Sequence, residues 1–198
     1  MSFLRSIFVA KPAQKDEQYV NSLVQQICDG KPNKILISKL TDFSQEYSHQ
    51  ISERAIPALI NNFSAYIENE DIVYALITIF ANMLRMENSS KEENAEKILK
   101  CSDSIPDFVK ILDSSNDSLS EGSMHVLMML ANLKPDLFIE ALTSNQEQMI
   151  RLFETISDTN LQISSKFVST LPSLVVSNPD FQQIVCFYSI DSLVNHIN

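Results

Sequence analysis

Glycine is scarce in this chain. Only Gly30 and Gly122 occur among its 198 residues, whereas soluble domains contain about 7% glycine. Phosphate-binding loops, Rossmann turns and tight hairpin turns depend on glycine, so most nucleotide-binding folds are excluded. Hydrophobic residues make up 44% of the chain, which is enough for one continuous core. The composition therefore predicts a single all-helical domain.

Patterned cysteines and long apolar runs are also missing. The three cysteines, Cys28, Cys101 and Cys186, are widely spaced and form no Cys-x-x-Cys or Cys/His pattern of metal ligands. We expect buried, reduced thiols and neither a metal nor another cofactor. No stretch reaches the roughly 18 apolar residues of a membrane span, and the first residues lack a signal-peptide pattern. The sequence therefore predicts a cytoplasmic protein.

Charge is distributed unevenly. The formal net charge is −10, made up of +3 in residues 1–40 and −13 in the rest. An acidic body repels nucleic acid, so we expect no nucleic-acid partner. The basic end suits anionic lipid or an acidic protein, and an ordinary solvated helix surface is the alternative.

Signatures of catalysis are absent as well. The histidines His49, His125 and His196 are dispersed, with no carboxylate or cysteine pattern around them. The adjacent pair Glu92 and Glu93 lies in an exposed charged run, where a solvated helix end is a better explanation than acid/base chemistry. We therefore expect no enzymatic activity.

What the chain does contain is a repeated helical pattern. Ile56-Pro57 opens an apolar helix, a polar break follows at 68–71, and a longer helix extends to Leu84. A second copy starts at Ile105-Pro106, offset by 49 to 50 residues, and contains Leu127 and Leu130 as core positions; a weaker third copy lies 44 residues further on. Helical repeats of about 40–47 residues are typical of armadillo and HEAT arrays. The sequence predicts an all-α, right-handed superhelix of such repeats over residues 1–198, with flanking helices at about 14–29, 33–47, 91–101, 135–143, 179–187 and 189–197.

Two sets of residues are candidates for binding. Phe3, Leu4, Ile7 and Phe8 share one helical face, which suits an interfacial membrane helix. A cap that packs onto the first repeat is the alternative we favour, because so short a helix buries too little surface to anchor alone.

The second set is a pair of asparagines near the ends of long helices. Asn82 and Asn132 occupy the place where armadillo repeats hydrogen-bond an extended peptide. In the third copy the corresponding residue is Val176, so the ladder stops after two positions. Bonding to the local backbone is the alternative explanation.

A family resemblance is carried by segments at both ends of the chain. They include the start Phe3-Leu4-Arg5, residues 24–29 and 40–47, and above all Ile184-Val185-Cys186-Phe187 with its flanks. These segments resemble the armadillo-like head domain of the general vesicular transport factor, the Golgi vesicle-tethering protein family. Heads of that family are several times longer and continue into a coiled coil and an acidic tail. We therefore expect a fragment of a longer head or a reduced relative.

The resemblance implies a function. It implies a non-catalytic tether in endoplasmic reticulum-to-Golgi transport that binds a Rab-type small GTPase, golgins and fusion-machinery proteins, and that is peripheral at Golgi or transport-vesicle membranes. The oligomeric state does not follow from it. An alternative is a scaffold that binds and regulates a protein kinase, because residues 79–85 resemble the armadillo-like kinase-activating scaffolds. That family lacks the Ile184-Val185-Cys186-Phe187 segment, so the tether ranks first.

Overall fold

The computed structural model describes residues 14–30, 33–154 and 161–197. Every regular element in these ranges is an α-helix, which confirms the predicted all-α class. In chain order the helices are α1 (Gln14–Asp29), α2 (Lys34–Phe43), α3 (Ser48–Arg54), α4 (Ile56–Ala65), α5 (Glu70–Leu84), α6 (Lys91–Leu99), α7 (Ser104–Ile111), α8 (Asp117–Leu133), α9 (Pro135–Thr143), α10 (Gln146–Glu154), α11 (Leu161–Ser177) and α12 (Pro179–Ile197).

Three-helix repeats follow one another at a nearly constant interval. The helices α3, α6, α9 and α12 begin at residues 48, 91, 135 and 179, so the intervals are 43, 44 and 44 residues. The third helix of each repeat is long, with 15 residues in α5 and 17 in α8 and α11. The long helices and α2 lie side by side in the order α2, α5, α8 and α11, while α4, α7 and α10 form a second row. The chain is therefore an α-solenoid.

The core is continuous between the rows and between repeats. Phe63 of α4, Phe80 of α5 and Phe108 of α7 are fully buried and meet with ring centroids 4.9–6.2 Å apart. Phe63 and Phe80 belong to one repeat and Phe108 to the next, so the cluster joins them. A single repeat of this kind cannot bury its own apolar face, and this stacking is what stabilises the fold.

Ion pairs connect successive repeats in the same way twice. Glu68 follows α4 and pairs with Lys110 of α7 at 2.8 Å, and Asp113 follows α7 and pairs with Arg151 of α10 at 3.4 Å. All four side chains are more than 40% exposed, so each pair contributes at most about 1 kcal/mol. Because each pair joins one repeat to the next, the two pairs favour one relative position of neighbouring repeats.

Asp107 of α7 is a half-buried carboxyl at the same junction. Ser64 of α4 donates a hydrogen bond to Asp107 Oδ2 at 2.5 Å. Burial raises the pKa of Asp107 above its ordinary value, and the Ser64 hydrogen bond opposes this only in part. The folded protein therefore holds this proton more firmly than the unfolded chain. The resulting stabilisation is complete below the ordinary pKa and is lost as the pH rises through the raised pKa.

We expect Asp107→Asn to remove this pH dependence. At pH 7 the variant should be more stable than the wild type by less than about 1 kcal/mol, because solvent screens a half-buried group. The difference should shrink as the pH falls towards about 4, where the wild-type carboxyl is protonated. Thermal unfolding of both proteins across this range checks it, with the exposed Glu140→Gln as the control. A difference that grows on acidification would contradict the assignment.

The predicted helices agree with the structure except at two places. The prediction of one helix over 33–47 is wrong, because α2 ends at Phe43 and the backbone N–H of Ser44 bonds back to the Thr41 carbonyl. The prediction of separate helices at 179–187 and 189–197 is also wrong, because α12 is continuous. Helices α1 and α9 have the predicted bounds.

Two polar segments also differ from the prediction. Glu70 and Asp71, predicted in a loop, form the first turn of α5, where acidic residues interact well with the helix dipole. The polar composition of residues 88–94 predicts a solvated loop, but Asn94 is 1% exposed in α6, and its amide donates to the Met83 carbonyl at 3.0 Å. In the first segment the polar residues stabilise the start of a helix, and in the second a polar residue makes a contact between two helices.

Candidate interaction surface

The row of long helices brings the two predicted asparagines onto neighbouring elements. Asn82 lies two residues before the end of α5 and Asn132 one residue before the end of α8. These two helices pack directly against each other. Val176 holds the corresponding place on α11 and is 87% exposed. The three positions therefore recur along one row, as the repeat pattern predicts.

Asn82 already makes a bond within the protein. Its Nδ2 donates to Ser44 Oγ at 2.8 Å, and Ser44 Oγ in turn donates to the Thr41 carbonyl at 2.9 Å. This chain of bonds connects the end of α2 to α5. The second amide hydrogen and the carbonyl oxygen of Asn82 are not used by it. Asn132 is exposed and makes no hydrogen bond to another residue that the structure describes.

A polar groove of about 420 Å³ lies beside Asn82. Besides Asn82, the lining includes residues of two segments, Gln45, Glu46 and Ser48 from the first and Arg85, Glu87 and Asn88 from the second. Asn88 Nδ2 donates to Ser48 Oγ at 3.1 Å, which joins the two segments. Amide, hydroxyl and guanidinium groups are the donors and acceptors that can bond an extended peptide backbone. This groove could not be predicted from the sequence, because its walls come from two segments about 40 residues apart and no local motif indicates their contact.

Two of the three histidines, His49 and His125, have side chains that the structure describes. His49 Nδ1 lies 3.1 Å from Ser90 Oγ. Partial burial, and secondarily Lys166, lower the pKa of His125, so this ring is neutral at pH 7. Among the residues that the structure describes, no group of three or more His, Cys, Asp and Glu side chains is arranged to hold a metal ion.

The three cysteines are free thiols, two of them half-buried and one exposed. Cys28 and Cys101 are half-buried, and burial raises the pKa of both thiols. Thiols of this kind are poor nucleophiles. The prediction of three buried thiols is wrong for Cys186, which is exposed on α12, because the packed side of that helix is formed by other residues.

The basic end is described only in part. Phe3, Leu4, Ile7 and Phe8 lie outside the described residues. On α2, Lys34 Nζ lies 5.3 Å from the centre of the Tyr66 ring. In the described part of the chain, no helix combines the length and the apolar character that crossing a bilayer requires.

A solved structure shares this arrangement of helices. The crystal structure of Uso1-2 matches 96% of this chain with a TM-score of 0.79 and 15% sequence identity. Uso1-2 is a vesicle-tethering factor. The chain has the Uso1-2 fold. This confirms, at the level of the fold, the resemblance to an armadillo-like tethering head.

The match covers only part of that protein. The chain spans 33% of the length of the Uso1-2 chain. No protein-family model matches the chain, and no curated protein sequence matches it at a significant level. The comparison therefore concerns the helical scaffold, and the activity of the whole tether comes to this chain only as a proposal.

Proposed function

We propose that this chain is a non-catalytic tethering module that acts in endoplasmic reticulum-to-Golgi transport. It binds a Rab-type small GTPase and other tethering or fusion proteins, and it is peripheral at Golgi or transport-vesicle membranes. The observation that carries this proposal is the fold shared with the vesicle-tethering factor Uso1-2 over 96% of the chain. The sequence resemblance at both ends of the chain points to the same family.

The row of long helices is suited to binding a protein partner. Successive helices α5 and α8 are held by buried stacking, so their exposed side chains have fixed relative positions. Near their ends lie Asn82, Asn132 and the groove that contains Arg85. A pre-organised polar surface binds with a smaller ordering cost than a flexible one. This face is therefore our candidate for the protein-binding site.

The first test is retention of a GTPase. The purified chain is immobilised and exposed to Rab-type GTPases loaded with a non-hydrolysable GTP analogue or with GDP. We expect retention that depends on the GTP analogue, and association of the chain with Golgi or vesicle membranes in cells. If no GTPase is retained and the chain shows no membrane association, the proposed function is wrong.

The binding face is tested by substitution at its polar residues. We expect Asn132→Ala and Arg85→Ala each to weaken partner binding about 3- to 10-fold, the effect of losing one hydrogen bond at an interface. Gln18→Ala, which changes an exposed residue of α1, is the matched control and should leave binding unchanged. Equal binding by all three variants would place the site elsewhere on the chain.

The kinase-scaffold alternative has weaker support. Its resemblance lies in residues 79–85, and Ile79, Phe80, Met83 and Leu84 of that stretch are fully buried. Buried apolar positions of this kind serve repeat packing, which all armadillo-like families share. Retention of a protein kinase, and of no GTPase, when the immobilised chain is exposed to a cytosolic extract would reverse the order.

A further inference from the structure

Helix α2 begins differently from α5 and α8, which belong to the same row. Helix α5 begins with Glu70 and helix α8 with Asp117, and carboxylates in the first turn interact well with the helix dipole. Helix α2 begins instead with Lys34, and its first turn contains no acidic residue. A cation at this place interacts unfavourably with the dipole. Lys34 therefore does not stabilise the start of α2, which points to a role at the surface.

Two lysines of α2 are also unusual among the cations of this chain. Most lysine and arginine side chains that the structure describes lie within ion-pair distance of a carboxylate, among them Lys97 and Lys110. Lys34 and Lys39 are exposed, and neither forms an ion pair with a described residue. Lys34 Nζ contacts the face of the Tyr66 ring, which positions the ammonium group and leaves its charge without a counter-charge.

A groove of about 430 Å³ has both of these lysines in its lining. Ile35 lies in the same groove and is 67% exposed. At about 100° per residue, Ile35 lies between Lys34 and Lys39 around the axis of α2. The remaining lining residues are Ser38, Asp42 and, from α5, Ile72. The groove therefore presents an exposed apolar side chain with a positive charge on either side.

We propose that this groove binds an acidic peptide segment of a partner protein, in which two carboxylates flank a large apolar side chain. The carboxylates pair with Lys34 and Lys39, and the apolar side chain packs on Ile35. In an extended peptide the side chains at i, i+2 and i+4 lie on one face and span about 13 Å. Acidic residues at i and i+4 therefore reach the two lysines, which project to opposite sides of α2, while the apolar residue at i+2 reaches Ile35.

Charge favours this occupant over the alternatives. The chain carries a net charge of −10, so an anionic membrane surface repels the protein as a whole, and recognition of acidic lipid takes a cluster of about four to eight basic residues. A short peptide contacts only the groove, where the two lysines outnumber Asp42. Residues 1–13 contain Arg5 and Lys11 and no carboxylate side chain, so this segment does not supply the acidic peptide.

Fluorescence polarisation of a labelled peptide, titrated with the full chain, tests the proposal. The probe is Ser-Glu-Ser-Leu-Ser-Glu-Ser with blocked ends, and in a control peptide lysine replaces both glutamates. We expect the probe to bind with a Kd of about 100 µM at about 50 mM salt. Binding should weaken at least about fivefold at about 500 mM salt, because exposed charges are screened. The control peptide should not bind.

Lys34→Glu separates binding from folding. The substitution reverses one charge of the groove and places a carboxylate in the first turn of α2, where it suits the helix dipole. Probe binding should weaken at least about 10-fold, while the midpoint of thermal unfolding should not fall. Lys39→Glu should weaken binding to a similar extent, and Ile35→Ala about 3-fold, because part of the apolar contact is lost.

Two matched controls separate the groove from a general effect of charge or apolar surface. Arg54→Glu makes the same charge change at an exposed residue of α3 outside the groove, and Met86→Ala shortens an exposed apolar side chain elsewhere. Both should bind the probe within about twofold of the wild type.

Four results would each overturn the proposal. They are a wild type that does not bind the probe, equal binding of the lysine control peptide, probe binding that survives Lys34→Glu, and an equal loss in Arg54→Glu. Retention of the chain by phosphatidylserine vesicles without any binding of the probe would assign the groove to a membrane instead. The titration contains no GTPase, so this proposal and the proposed function can each fail without the other.

Discussion

Phe108→Ala is expected to lower the free energy of unfolding by about 3–5 kcal/mol. The Phe108 side chain is fully buried, and its ring centroid lies 4.9 Å from that of Phe63 and 5.5 Å from that of Phe80. Truncation removes buried apolar surface and leaves a cavity between two rings. The cavity lies at the junction of two repeats, so the loss falls on the stacking that holds the solenoid together.

Chemical denaturation followed by circular dichroism measures this loss. Met86→Ala, at a hydrophobic residue that is 74% exposed, is the matched control and should change stability by less than about 0.5 kcal/mol. Phe63→Ala combined with Phe108→Ala should destabilise by less than the sum of the single changes, because the two residues share one contact. A loss below about 1.5 kcal/mol for Phe108→Ala would mean that the two repeats do not meet through this ring.

The repeat architecture could be predicted because its signals are local. Pro135 and Pro179 begin helices, as expected for a residue without a backbone donor. The position of Asn178 directly before Pro179 predicts a helix cap, and its side chain accepts a hydrogen bond from the Phe181 backbone N–H at 3.0 Å. Apolar spacing within each helix provided the remaining information. Such features depend on residues within one or two turns of each other.

The wrong boundaries depend on contacts that the sequence does not display. No glycine or proline marks the break after α2. Ser44 is fully buried at this break, and its hydroxyl accepts a hydrogen bond from the Asn82 amide, 38 residues away in the sequence. In α12 the apolar pattern changes sides near Ser189, and a change of sides resembles a break between two helices. The backbone of α12 is nevertheless continuous across this point.

Only the part of the candidate surface that repeats in the sequence could be predicted. Asn82 and Asn132 were found because they recur at equivalent places in two copies. The groove beside Asn82 was not, since Ser48 and Arg85 lie 37 residues apart in the sequence and become neighbours only when α3 packs against α5. The Uso1-2 fold is shared at 15% identity, which shows how far the surface of such a scaffold can change while its core spacing persists.

Leu130→Ala is expected to lower the free energy of unfolding by about 2–5 kcal/mol. Leu130 is 0% exposed in α8, and the neighbouring core position Leu127 is 1% exposed. Helix α8 packs against helices of its own repeat and of both adjacent repeats, among them α5 and α11. The lost side chain therefore leaves a cavity in the middle of the array, where the surrounding helices have little freedom to close it.

The matched control for Leu130→Ala is Asn132→Ala on the same helix. Asn132 is exposed, and alanine has the better helix propensity, so this change should be neutral or stabilise by a few tenths of a kcal/mol. Urea denaturation of both variants with an unchanged m-value would attribute the difference to the folded state. A loss below about 1 kcal/mol for Leu130→Ala would mean that α8 is rotated about its axis. Asn132 would then not lie on the outer surface of the long-helix row, and the candidate binding face would have to be reassigned together with the core.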